Sequence, residues 1–475
     1  MKTKDEHEEG KPVVVIGAGP AGLAAAYELA KKNIPVFVLE QDRQIGGLAK
    51  TVEYKGYRFD IGGHRFFTRI ETVAKLWKDM LGDDFLTRPR MSRILYKGKY
   101  FHYPLKPMNV LRNVGLVTSL SVLFSYLWIK LFPIRPEISI SDWVSNRFGR
   151  RLFHMFFKTY TEKVWGMPCD TISAQWAAQR IKGLSLYTAF MSIFSPKRNQ
   201  DDGKIRTLIS EFHYPRLGPG MMWEAFEKRI ESLGGVVSCS TEISGVLHKD
   251  GAVYAVRGKQ KGRELFMATS HIISTMPLRH MIHALDPPPP PEVIEAADRL
   301  RYRDFLTVVV LVDVPDLFSD NWLYIHDESV KVGRIQNFKN WSPEMVPDAS
   351  KTCLGLEYFC FEGDDLWSME NDKIIELAKE EIARIGLVSP EKIIDGLVVK
   401  VPKAYPIYDN GVDDSVATVR GYLNRFKNLQ QIGRNGMHKY NNMDHSMLAG
   451  ILAARNFFSE SYDLWSINAE DEYHE

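Results

Sequence analysis

The chain has 475 residues, more than a single hydrophobic core usually supports, so two or three domains are expected. Lys and Arg total 61 against 59 Asp and Glu, and the net charge of +2 gives no general attraction to nucleic acid or to an anionic membrane. Four scattered cysteines (Cys169, Cys239, Cys353 and Cys360) form neither a disulfide framework nor a metal-ligand pair, so no metal is expected and a reducing, cytoplasmic setting is.

Residues 1–11 are polar and lack the apolar run of a secretory signal. Residues 13–16 (VVVI) then read as a short buried strand, 21–32 as a helix and 36–39 as a second buried strand. This is the alternation of a parallel βαβ unit. Between the first strand and the helix lies Gly17-Ala18-Gly19-Pro20-Ala21-Gly22. The first glycine permits a tight turn, the second lets backbone approach a pyrophosphate, and the third lets the helix pack close to the strand. Glu40 ends the second strand, where a carboxylate binds ribose hydroxyls. These features specify a dinucleotide site.

Residues 70–200 read as mostly helical. Within them, 113–132 is nearly all apolar, interrupted by Lys130 and flanked by Arg112 and Arg135. It is open to three readings: a helix of a helical subdomain, a helix in peripheral contact with a membrane surface, or a membrane span. A β-rich stretch follows over 236–256 and 264–274, and five consecutive prolines at 287–291 read as a stiff connector. Residues 306–312 and 353–361 read as strands, 371–385 as an amphipathic helix, and 443–458 as a closing helix after a turn at 433–436.

Beyond Glu40, the run Gln41-Asp42-Arg43 leads to Gly46-Gly47-Leu48. That arrangement resembles the large FAD-dependent family of amine oxidases, protoporphyrinogen oxidases and UDP-galactopyranose mutases. The resemblance implies FAD, with backbone amides at the glycines approaching its phosphate arm. Thr275, in the small-residue turn after 272–274, resembles a later element of that family. So do Gly433-Arg434 and Asn442-Met443-Asp444, where a helix N-terminus would meet the flavin edge.

Further motifs resemble the UDP-galactopyranose mutases in particular. Asp60-Ile61-Gly62-Gly63-His64 looks like their histidine loop, implying that His64 lies against the isoalloxazine; a structural turn histidine is the plainer alternative. The run from Tyr160 to Gly166, with Trp165, resembles their YTxKxWG motif and implies substrate contact, although a tryptophan on an aromatic helix is also ordinary core. Arg180, and Arg334 in a segment that also holds Asn337, resemble the arginines that clamp a diphosphate, a task suited to a bidentate guanidinium. Tyr405 and Tyr440 resemble tyrosines that touch the substrate's phosphates. Two departures stand out: Arg303 carries over only weakly, and residues 184–194 are apolar where the family is tyrosine-rich.

Pattern and resemblance together lead to an α/β fold with a Rossmann-type FAD-binding domain, discontinuous in sequence over 10–95, 205–285 and 425–465. A helical substrate-capping subdomain over 96–200 and a mixed or antiparallel β-sheet substrate domain over 286–424 complete it. The resemblance implies an isomerase in cell-envelope polysaccharide synthesis, converting a nucleotide-diphosphate sugar between pyranose and furanose forms. Reduced flavin N5 would be the nucleophile at the anomeric carbon, His64, Arg180 and Arg334 the catalytic side chains, and NAD(P)H a transient reductant. The rival is a FAD-dependent oxidoreductase, amine-oxidase- or desaturase-like, acting on an apolar or lipid-linked glycan. A non-catalytic flavoprotein that binds a nucleotide sugar is a third reading, and a homo-oligomer is compatible with each.

Overall fold

The computed structural model describes residues 10–103, 105–174, 211–409 and 411–468. A five-stranded, all-parallel sheet carries the N-terminal unit, in the order Leu429–Gln431, His271–Ser274, Val13–Ile16, Val36–Leu39 and Val236–Ser238. Strands buried on both faces need apolar side chains at every position, which is why these segments do not alternate. Val13 and Val15 face a layer made by the helices Pro20–Ala30, Gly220–Ser232 and Met443–Phe457. Val14 and Ile16 face the opposite way, onto a four-stranded sheet that includes Thr241–Lys249 and Ala252–Gln260. The first and last helices touch along their backbones: a Cβ at Gly450 would fall 2.1 Å from the Ala21 carbonyl oxygen. The two ends of the chain are thereby joined beside the first strand.

A seven-stranded mixed sheet forms the second unit, in the order Ile393–Pro406, Tyr302–Val312, Thr352–Cys360, Arg334–Asn337, Trp322–Ile325, Ser92–Tyr96 and Lys99–His102. Val308, Val310 and Val312 pack under the helix Asn371–Arg384 through Ile374, Ala378 and Ile382. Val309 and Leu311 point to the other face, toward an aromatic layer with Trp143, Phe153, Phe156 and Trp165 from the helical part.

Three sequence readings are corrected. Residues 85–102 are not helical: Phe85–Pro89 pairs with Glu211–Pro215, and the next two strands extend the seven-stranded sheet. Lys99–His102 pairs locally with Ser92–Tyr96. Phe85–Pro89 and Ser92–Tyr96, however, find partners more than a hundred residues away, where local pattern gives no sign of the pairing. The proline run is not merely a connector, since Pro291 opens the helix Pro291–Asp298. Among the described residues no helix is long and apolar enough to cross a membrane, and the apolar segment forms the 16-residue helix Leu116–Leu131. All four cysteines are free thiols, and no group of potential metal ligands occurs among the described residues.

Candidate active site

A cavity of about 760 Å³ runs from the carboxyl edge of the parallel sheet to the seven-stranded sheet. At the parallel sheet its walls are largely main chain. Gly17, Gly19, Pro20 and Ala21 line it after the first strand, Glu40 and Gln41 after the second, Thr275 after His271–Ser274, and Gly433 after Leu429–Gln431. The chain leaves the first strand on one side and returns on the other, so this edge is a topological switch point, the usual crevice for ligands in such sheets.

The glycine turn is stereochemically specific. Gly17 has φ +97°, and a Cβ there would lie 2.0 Å from Thr275 Oγ1. A Cβ at Gly22 would meet the Gly17 carbonyl oxygen at 1.9 Å, so the third glycine holds helix against turn, as expected. Gly19 differs: its nearest neighbour would be Gly47 Cα at 3.9 Å. That position is open toward the cavity, at the N-terminus of a helix whose first amides have no intrahelical partners, and it fits a pyrophosphate.

Glu40 is buried, and its carboxylate is fixed by the amides of Ala18 (2.7 Å to Oε2) and Asp42 (2.8 Å to Oε1). Burial raises its pKa, with those two amides opposing the rise. Each oxygen keeps a lone pair for a ribose hydroxyl. Gly47 and Leu48 close the wall opposite, while Asn442, Met443 and Asp444 bring a second helix N-terminus to it. Asp444 is buried there and accepts from the His445 amide at 2.9 Å. Gly22 and Gly46 stand just behind the cavity wall, and the side chain of Arg43 is exposed.

At the seven-stranded sheet, side chains take over. The loop carrying Gly62, Gly63 and His64 follows the strand Tyr57–Asp60 and is pinned at its base. Asp60 accepts from Tyr214 Oη at 2.6 Å and Thr51 Oγ1 at 2.9 Å, while burial raises its pKa to about 7. Thr307 Oγ1 donates to the Ile61 carbonyl at 2.9 Å. His64 then faces the cavity between two cations. Burial lowers its pKa to about 3, and Arg434 and Arg334 push in the same direction, so the imidazole is neutral.

Arg334 gives Nε and Nη2 to one oxygen of Glu357, at 2.9 and 2.6 Å, and Gln336 Nε2 binds the other at 2.5 Å. Burial works against the Arg334 charge, but the Glu357 carboxylate more than offsets it and raises the pKa well above the usual value. Its Nη1 is left near Gly63. Arg434 donates to the carbonyls of Asn441 (2.9 Å) and Ala404 (3.1 Å), with its guanidinium 4.4 Å from the Tyr440 ring centre. Tyr405 and Tyr440 stack on each other at 5.6 Å and both line the cavity.

Three motif residues stand one layer behind. Tyr160 stacks on His326 at 4.9 Å and meets the cavity residue Tyr324 edge-on at 5.4 Å. Trp165 is buried and meets Tyr405 edge-on at 6.4 Å. Between them in sequence, Lys163 Nζ donates to the carbonyls of Ile325, Asp327 and Val332 at 2.6–3.2 Å, which ties this helix to the sheet. Burial lowers Lys163 to about 8. Asn337 turns away from the cavity and donates to the Phe318 carbonyl at 3.3 Å. Arg180 lies outside the described residues.

Sequence reasoning missed several residues. Glu357 and Gln336 fix Arg334 but sit within apolar strand patterns. Arg303, only a weak carry-over in the sequence, is buried and donates to the Val164 and Phe359 carbonyls at 3.1 and 2.9 Å, so it supports the end of the Trp165 helix. Asp304 accepts from the Lys403 and Glu362 amides and holds a bulge in Ile393–Pro406 just before Tyr405. Phe66, Phe67, Phe305, Trp322 and Trp341 add an aromatic lining.

Main-chain amides at a helix N-terminus, a buried carboxylate at the next strand end and a second helix N-terminus define a flavoprotein-type dinucleotide site. The chain belongs to the flavin-containing amine oxidoreductase family, whose model matches residues 20–420. It is therefore a flavoprotein of that family. Mitochondrial protoporphyrinogen oxidase of Nicotiana tabacum is 26% identical over 220 residues, covering 43% of this chain and 44% of that protein. The chain thus spans less than half of that relative. L-amino-acid oxidase of Demansia vestigiata is 22% identical over 423 residues, covering 84% of this chain and 75% of that protein. A crystal structure of reduced UDP-galactopyranose mutase shares the fold with a TM-score of 0.81 at 20% identity, covering 97% of this chain and 98% of that one. Putrescine oxidase with bound putrescine gives 0.60 at 16% identity, covering 95% and 99%.

Proposed function

We propose that this enzyme interconverts the pyranose and furanose forms of a nucleotide-diphosphate sugar. The observation that carries this reading is the grouping of Arg334, Arg434, Tyr405 and Tyr440 around His64 at one end of the cavity. A diphosphate leaving group develops negative charge, and preorganised guanidinium and hydroxyl donors stabilise it without reorganising. The Glu357 carboxylate occupies Nε and Nη2 of Arg334 and holds Nη1 in place, which lowers the entropy lost on binding. A neutral His64 adds no third positive charge and can exchange a hydrogen bond at the ring edge. The chemistry supplied by bound, reduced FAD is nucleophilic attack at the anomeric carbon as the diphosphate departs. Arg180 belongs to the same proposal as a further phosphate ligand, and NAD(P)H as the source of reducing equivalents.

One observation favours oxidation of an apolar substrate instead. Phe66, Phe67, Phe305, Trp322 and Trp341 also line the cavity, and both curated relatives above are named as oxidases. The test is to reduce the FAD-loaded protein with dithionite and offer UDP-galactose and related nucleotide sugars in pyranose and furanose forms. Interconversion of one isomer pair supports the mutase. No interconversion across the panel, with peroxide released from an apolar substrate, refutes it.

A further inference from the structure

The helix Leu116–Leu131 presents an apolar face that no described part of the chain covers. Val117 is 83% exposed, Leu131 74%, Leu116 and Phe124 68%, Trp128 54% and Leu127 51%. At about 100° per residue these six fall within one arc of roughly 120°. Val122 and Ile129 lie on the opposite side and are buried. The inward side closes tightly on its neighbours: a Cβ at Gly149 would come within 2.9 Å of the Tyr126 amide nitrogen. The helix is therefore seated in the fold, and its outer face is a fixed surface. With Leu120, also more than half exposed in the same arc, these side chains form one contiguous apolar face, the kind of surface that marks an interaction site.

The charge around this face decides what covers it. From residue 97 to 136 the sequence contains no Asp or Glu, in a chain whose acids and bases otherwise balance at 59 and 61. Over the same stretch Lys97, Lys99, Lys106, Arg112, Lys130 and Arg135 are all exposed. An exposed aromatic row runs along the face, with Trp128 4.8 Å from Phe132 and 6.3 Å from Phe124. Glu137, beside Lys130 and Arg135, is paired with Arg147, so a second copy of this chain would bring two predominantly basic rims together. An anionic bilayer meets both features, with hydrocarbon for the leucines, an interfacial level for Trp128 and lipid phosphates for the rim.

We propose that this helix docks the protein on the surface of an anionic lipid bilayer, lying in the interface without crossing it. The proposal is independent of which reaction the cavity performs.

The test uses the full chain with FAD bound and vesicles of phosphatidylcholine and phosphatidylserine in equal parts. The protein is expected to sediment with these vesicles, and less with phosphatidylcholine alone or at high salt. Leu127→Glu is expected to lower partitioning by about tenfold while flavin absorbance and thermal melting stay unchanged. Trp128→Phe keeps the face apolar and provides a second readout: brominated lipid should quench tryptophan emission in the wild type and less in this variant. Absence of sedimentation with anionic vesicles, or equal partitioning of wild type and Leu127→Glu, would overturn the proposal. A stable dimer that Leu127→Glu dissolves would also overturn it, by assigning the face to a second copy.

Discussion

At the parallel sheet the cavity is walled by main chain, and at the seven-stranded sheet by side chains that each need a partner. The first wall depends on what residues lack: Gly17, Gly19 and Gly22 leave room that any side chain would fill. The second depends on what residues hold: Arg334 on Glu357, Arg434 on two carbonyls, and Tyr405 beside a bulge fixed by Asp304. A site built from absence tolerates no addition. A site built from contacts can fail one contact at a time.

The largest effect is therefore expected at the glycines. Gly22→Val places carbon within 1.9 Å of the Gly17 carbonyl oxygen, and the variant should purify without FAD. Flavin absorbance per protein should fall by more than about tenfold, a loss of at least ~1.4 kcal/mol in binding. Full flavin content in this variant would break the contrast between the two walls. Next is Glu357→Gln, which leaves the Arg334 charge without its carboxylate. Denaturant unfolding should show a loss on the order of 3 kcal/mol, the low end for a broken buried pair because Arg334 opens onto the cavity. Arg334→Ala and Arg434→Ala should then weaken nucleotide-diphosphate binding by ~1–3 kcal/mol each, with Arg334→Ala leaving flavin content intact. Calorimetric titration with UDP separates the two walls directly, and unchanged affinity in both variants would remove the phosphate role.

The last effect concerns pH. His64 is held to about 3 in the fold, below its ordinary value of 6.5, so the unfolded chain binds the extra proton first as pH falls. Stability from the neutral ring is complete above about pH 6.5 and declines on acidification toward pH 3. Between pH 7 and pH 5 the wild type should lose about 2 kcal/mol more than His64→Asn. Equal losses in the two proteins would show that His64 is not held neutral.

The same contrast explains what could be read in advance. The βαβ unit, the glycine turn and Glu40 lie within 28 consecutive residues, from Val13 to Glu40, and their geometry follows from local chemistry. The closing helix was readable because Gly433 and Met443 mark its turn and start. Glu357 was not readable, since a carboxylate inside the strand Thr352–Cys360 has meaning only once Arg334 is paired opposite it. Residues 85–96 failed for the same reason: the distant strand partners begin at positions 211 and 322. Asn337 shows the converse, because its neighbourhood resembled a substrate segment while its side chain turns to Phe318.

The most direct test counts turnovers against electrons. FAD-loaded protein, reduced once with dithionite under anaerobic conditions, is given an excess of nucleotide sugar, and product is measured against reducing equivalents. Many isomerised sugars for each equivalent are expected if Arg334 and Arg434 hold a departing diphosphate beside a flavin that ends each cycle reduced. No isomerised sugar, with substrate oxidised in step with oxygen consumed once air is admitted, would contradict that assignment and place the enzyme among the oxidases of its family.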